Sequence, residues 1–177
     1  MPLINTIDSK SATGKTEEIY QHFIEKFGFV PNAFQLTSSS EFLLQQQTNN
    51  IMYFMSHQTL SFTLQAFIRM LVSTKHECAY CIDMNTGMLL QAGFTIEQIE
   101  AAKANPENAP LPEKDKAMLL YILKVVQNSN SIDSNDLNKL RDMGWSDKDI
   151  LEGTHCGTNQ IATDMIFNAF KVEGDPR

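Results

Sequence analysis

The residues best suited to chemistry are Cys78 and Cys81, the two ends of Cys78-Ala79-Tyr80-Cys81. Cysteines at i and i+3 of a helix share a face and can bridge after a small adjustment. The first turn of a helix also favours a thiolate, because its free N–H groups and the helix dipole stabilise negative charge. A thiolate attacks peroxides and disulfides, and a second cysteine resolves the sulfenic acid before it oxidises further. Two other readings stand beside this redox pair. Zinc takes about four ligands, yet beyond Cys156, His22, His57, His76 and His155 the chain offers no second CxxC and no HxxxH. A buried structural pair is the other reading, since free cysteine packs as a small hydrophobe. The redox reading leads. Neither a metal nor an organic cofactor is expected.

The elements that must position this pair read as helices throughout. Ile19, Phe23 and Phe27 make one stripe on a helix over Lys15–Phe27, with Gly28 in the left-handed position after it. Pro31 suits a first helical turn, and the cluster Ser38, Ser39 and Ser40 caps a helix over Glu41–Met55. Ser61 caps an apolar helix over Phe62–Thr74. The CAYC segment then opens a helix ending at Gly93. Thr95 with Gln98 forms a capping-box pattern for a short helix to Ala104. Three prolines, Pro106, Pro110 and Pro112, mark a loop before a helix to Gln127. A short helix over Ser134–Met143 and a long one reaching Lys171 complete the chain. No alternating β-branched run indicates a strand. The fold class expected is all-α, a bundle of about eight helices.

One internal echo links two corners. Leu89-Leu90-Gln91-Ala92-Gly93-Phe94-Thr95 resembles Leu140-Arg141-Asp142-Met143-Gly144-Trp145-Ser146. In each, glycine ends a helix, an aromatic covers the joint and a hydroxyl caps the next helix. Convergence on good corner chemistry and an old duplicated hairpin both account for it.

Composition narrows the function. The chain has 177 residues, 42% hydrophobic, three cysteines and a net charge of −7. That suits a single domain with a sizeable core and no disulfide staples. An acidic chain whose three arginines (Arg69, Arg141 and Arg177) do not cluster is not expected to work on nucleic acid or an anionic membrane. No signal peptide and no membrane-length apolar run are visible, so a reducing, cytoplasmic location is expected.

The stretch from Phe62 to Asp175 resembles the carboxymuconolactone decarboxylase superfamily, in particular its AhpD-like alkylhydroperoxidase branch. The matching pieces are LSFTLQAFIRMLVSTKHECAYCIDMNTGMLLQAGFTIEQIEAA, KAMLLYILKVV, DLNKLRDMGWSDKDILEG and NQIATDMIFNAFKVEGD. The resemblance implies one AhpD-like domain over 1–177, with residues 1–60 a helical extension and 61–175 the core. It implies a trimeric or hexameric homo-oligomer whose CxxC pair reduces a small hydroperoxide or disulfide and is recharged by a dithiol reductant. Cys81 would attack and Cys78 would resolve, although the helix-dipole argument favours Cys78 as the thiolate.

The family's acid–base helpers are absent. Its glutamate position, twelve residues before Cys78, is Ala66, and its histidine position, four after Cys81, is Asn85. Asparagine can hydrogen-bond a sulfur but cannot take a proton near neutral pH. Tyr80 does fit the family pattern, as a substrate contact or a packing group. Several residues are candidates for a rebuilt relay. Glu77 adjoins Cys78, but its charge would raise the thiol, and it also reads as a solvated first-turn acid. His76 reads as a helix-end residue, and Asp83 as surface charge. His155 shares a face with Leu151, Ala162 and Met165 that is expected to turn inward, from which it would reach the pair across the bundle. It reads equally as a core or interface histidine. Cys156 and the methionines Met52, Met55, Met70, Met84 and Met88 read as packing residues. Two further functions stay open: a non-redox decarboxylase-type enzyme, and a non-catalytic, redox-responsive helical oligomer.

Overall fold

Apolar residues at helical spacing produce helices from Gly14 to Phe170, joined by short turns and loops, as predicted. In the computed structural model, which describes residues 3–176, there are nine α-helices and no strand among the described residues. They are α1 (Gly14–Phe27), α2 (Asn32–Thr37), α3 (Glu41–Met55), α4 (Phe62–Lys75), α5 (Ala79–Gln91), α6 (Ile96–Ala104), α7 (Glu113–Gln127), α8 (Ser134–Asp142) and α9 (Asp147–Phe170). Short 3-10 turns cover Pro106–Asn108 and Ser129–Ser131. No helix among the described residues is long and apolar enough to cross a membrane.

The helices fall into two compact units. One runs to His57 and takes in the chain from Ile166 onward; the other is Gln58–Met165. The first is built on α1, α2 and α3, with Ile19, Tyr20, Phe23, Phe34, Leu36 and Leu44 buried. Phe23 packs against Phe34 with the rings tilted by 40° and their centroids 4.0 Å apart. Phe27, placed on the same stripe by its spacing, is instead exposed, because it lies in the last turn of α1 beside Gly28. The end of the chain is tied into this unit: Asn32 donates its backbone N–H to Asp175 Oδ1 at 2.7 Å and its Nδ2 to the Gly174 carbonyl at 2.9 Å.

The second unit is organised around α4. Leu64, Ala66, Phe67, Ile68, Met70 and Val72 are all fully buried there, so α4 is apolar nearly all round, as a central helix must be. Ser61 caps it by accepting from Leu64 N–H at 3.2 Å. Helix α9 closes on α7 through glycine. A Cβ at Gly157 would meet Ile122 Cγ2 at 2.4 Å, and one at Gly153 would meet Ile122 Cδ1 at 3.1 Å. From Gly153 to Asp164 the buried residues of α9 are Gly153, Cys156, Gly157, Gln160 and Asp164, continuing the line of Asp149 and Ile150 in its first turn.

The two echoed corners have the same backbone geometry. Gly93 and Gly144 are both left-handed, with φ of 95° and 86°. Phe94 N–H donates to Leu89 O, and Trp145 N–H to Leu140 O, each at 3.1 Å, the six-residue bond that closes a helix C-terminus. Each corner then opens its next helix with a reciprocal box. Thr95 pairs with Gln98, and Ser146 with Asp149.

Candidate functional site

A third corner, between α4 and α5, carries the cysteines. Its closing bond is of the same kind: Cys78 N–H donates to Ser73 O at 3.1 Å. The left-handed residue is not glycine but Glu77, at φ 53°. That conformation crowds a Cβ against the carbonyl that follows. Cys78 is the N-cap of α5, and no side-chain oxygen caps the helix there. The turn thus places Cys78 at the mouth of the helix and Cys81 in its first turn, on one face.

Both cysteines are free and buried, with their Sγ atoms 2.7 Å apart. Two thiolates that close cannot coexist, so the pair loses its first proton from one sulfur and holds the second tightly. The Cys78 thiol lies below the ordinary thiol range. The leading cause is the hydrogen bond from the Cys81 thiol to its thiolate, helped by the Cys81 backbone N–H and opposed by burial and Asp164. Cys81 is pushed up, first by that same hydrogen bond, then by burial and the Asp164 carboxylate. The local arrangement favours Cys78 as the sulfur that ionises first.

Asp164 is the residue that sequence reading missed. It is fully buried on the inner stripe of α9, and its carboxylate lies within 4.8 Å of both sulfurs. Oδ1 accepts from Ser73 Oγ and from Gln160 Nε2, each at 2.8 Å. Oδ2 is buried and, among the described residues, without a hydrogen-bond partner. Three donor groups, Cys78, Cys81 and Asp164, meet here, one fewer than a closed structural zinc site uses. The signal in the sequence was a lone acid in register with Gly153, Gly157 and Gln160, a stripe whose small and polar members do not register as apolar.

Behind the sulfurs, Asn85 is fully buried and braced at both ends. Its Nδ2 donates to Cys81 O at 2.8 Å, and its Oδ1 accepts from Arg69 Nε at 3.0 Å. With both ends in use, Asn85 supports the start of α5 and does not engage a sulfur. Arg69 is the one cation within α4's apolar run apart from its terminal Lys75. Burial pushes its guanidinium below the ordinary range, with Cys156 and Cys81 opposing that. Cys156 is buried as expected, and burial pushes its thiol up.

The other predicted residues separate. Tyr80 is buried on α5, and Ala66 is sealed within α4. Glu77 and Asp83 are exposed, and His76 is half-buried at the end of α4. The expectation for His155 needs correction. It is exposed, and its companions Leu151 and Met165 are 70% and 64% exposed. That face of α9 points outward because the glycine stripe takes the inner one. Met52 and Met55 are likewise exposed rather than packed inside.

No family model matches the sequence, and no curated protein does. Solved structures match at the level of fold. The AhpD core of an uncharacterized peroxidase-related protein from Ralstonia eutropha JMP134 superposes with a TM-score of 0.87 at 18% identity, covering 98% of this chain and 92% of that one. An uncharacterized peroxidase-related protein from Silicibacter sp. TM1040 gives 0.82 at 23% identity, over 96% and 91% of the two chains. The debrominase Bmp8 gives 0.77 at 14% identity, over 98% and 92%, and a cysteine-to-alanine variant of it has been solved with 2,3,4-tribromopyrrole. The chain has the AhpD-like helical fold.

Proposed function

We propose that the protein is a thiol oxidoreductase that uses Cys78 and Cys81 to reduce a small hydroperoxide or a disulfide, and that a dithiol restores it. One observation carries this: two free, buried thiols with sulfurs 2.7 Å apart at the start of a helix. Disulfide formation needs the sulfurs to close by well under an ångström. The shift of Cys78 below the ordinary range supplies a nucleophile, and Cys81 holds the proton until it resolves the product. On this reading Cys78 attacks. The AhpD-like neighbours described as peroxidase-related support the peroxide substrate. The debrominase neighbour favours a second substrate class for the same dithiol. Removing bromine from an aromatic ring as bromide, with hydrogen in its place, consumes the same two electrons and leaves the same disulfide.

We further propose that the chain works as one AhpD-like domain in a homo-oligomer. Exposed Phe42, Leu151 and Met165 supply apolar surface of the kind that self-association covers. Light scattering on the eluting protein reads the mass directly, and a monomer removes that part of the proposal.

The test of the chemistry is stopped-flow reaction of the reduced protein with cumene hydroperoxide and with a brominated pyrrole. Wild type is run beside Cys78→Ser and Cys81→Ser. The proposal expects a Cys78–Cys81 disulfide in wild type, reversible by dithiothreitol, and a sulfenic acid that accumulates in Cys81→Ser. Thiols that stay free with every oxidant defeat it.

A further inference from the structure

The thiol chemistry must move protons in a site where Ala66 and Asn85 can carry none. Asp164 is placed to do so. It is fully buried and held at Oδ1 by Ser73 and Gln160; its Oδ2 has no hydrogen-bond partner among the described residues, and a carboxylate oxygen lies within 4.8 Å of both sulfurs. An orphaned carboxylate oxygen is costly to bury and persists where it has a task. We infer that Asp164 is the proton shuttle of the cysteine pair, carrying protons from the thiols to the leaving oxygens. This rests on the thiol-redox reading above and supplies the base which that reading lacks.

The steps balance. Cys78 Sγ attacks the terminal oxygen of ROOH while its proton passes to Asp164 Oδ2. The S–O bond forms, the O–O bond breaks, and RO⁻ takes the proton from Oδ2 to leave as ROH. Cys78 is now a sulfenic acid. Cys81 next gives its proton to the regenerated carboxylate and attacks Cys78 Sγ. The S–S bond forms, the S–O bond breaks, and the departing hydroxide takes the proton from Oδ2 as water. Two thiols are oxidised to a disulfide, the peroxide is reduced to alcohol and water, and Asp164 ends as it began. A dithiol then donates two electrons and two protons to reopen the disulfide, itself becoming a disulfide. The distances in the resting site tighten as the reaction proceeds, as is common for proton-transferring groups.

Glu77 is the competing acid, and its geometry rules it out. It is exposed and in the left-handed turn, whereas Asp164 is sealed beside the sulfurs. The neighbours of Asp164 also make a clean substitution available. In Asp164→Asn, the side-chain oxygen still accepts from Ser73 and Gln160, and only Oδ2 is replaced.

Two readouts separate a shuttle from a merely structural role. Asp164 raises both thiols, so its neutralisation lowers them, and alkylation by iodoacetamide at fixed pH speeds up. Iodide leaves without needing a proton. Reduction of cumene hydroperoxide, whose alkoxide does need one, slows by about 100-fold or more. Peracetic acid, which releases a stable carboxylate, keeps its wild-type rate or exceeds it. Asp164→Ser, run in parallel, carries the same readouts if the Asn variant does not fold. A folded variant that reduces cumene hydroperoxide at the wild-type rate overturns the proposal. So does one that loses alkylation, peracid and hydroperoxide reactivity together. A wild type whose thiols do not respond to any peroxide overturns the redox reading itself, and the shuttle with it.

Discussion

Three helix corners in this chain share one backbone design, and two of them differ from the third in every optional detail. At Gly93 and Gly144 the left-handed residue is glycine, and a reciprocal capping box opens the next helix. The aromatic that follows each glycine is seated: Phe94 packs edge-on to Phe67 at 5.3 Å, and Trp145 Nε1 donates to Lys114 O at 3.0 Å. At the α4–α5 corner the left-handed residue is Glu77, and the cap is a thiol in place of an oxygen. The two optimised corners are structural. The third gives up the glycine and the oxygen cap at the place where a nucleophile stands. Each concession is worth about 1 kcal/mol, the scale of strain that functional sites retain.

The largest effect that tests this contrast is chemical. Cys78→Ser turns the third corner into an oxygen-capped one, so dithiol turnover is lost entirely while α5 gains up to ~1 kcal/mol. Peroxide assays and a urea melt on the same protein read both. A variant that loses turnover without gaining stability shows that the thiol cap was not a concession. Next is the ionisation of Cys78. Its leading stabiliser is the Cys81 thiol, so Cys81→Ala moves the alkylation midpoint of Cys78 upward in pH. Alkylation near neutral pH then slows, and an unchanged midpoint breaks the assignment of cause. Gly93→Ala probes the reference corners: nothing lies within 4 Å of the added Cβ, so the expected loss of ~1–2 kcal/mol in urea unfolding is conformational alone. The smallest effect is Glu77→Gly. Relief of the left-handed strain outweighs the added freedom of the unfolded chain by about 0.5 kcal/mol, raising the melting temperature by about 1–2 °C without altering peroxide chemistry.

The contrast also explains what could be read from sequence. Both glycine corners were legible because their parts lie within ten residues and each has a local physical role. Cys78 and Cys81 were legible for the same reason, as were the caps at Ser61 and Thr95. Asp164 was not, because it reaches the sulfurs from a helix more than eighty residues away. Its stripe on α9 is made mostly of glycine, glutamine and aspartate, which an apolar pattern ignores. That pattern selected Leu151, Ala162 and Met165 instead, and with them His155, the outward face. Arg69 reads from sequence only as one of three scattered arginines, because a single cation within an apolar helix has no short-range partner to announce it; its partner Asn85 is sixteen residues on, in α5.

Gly157 sets a dimensional tolerance for the chemistry. It lies two helical turns before Asp164 on the same face of α9, and its missing Cβ is what allows α9 to seat against Ile122. A methyl there pushes the helix outward, and the carboxylate travels with it, away from sulfurs now within 4.8 Å. The clearance between two helices and the reach of a proton are thus the same measurement, taken at two points along one rigid rod.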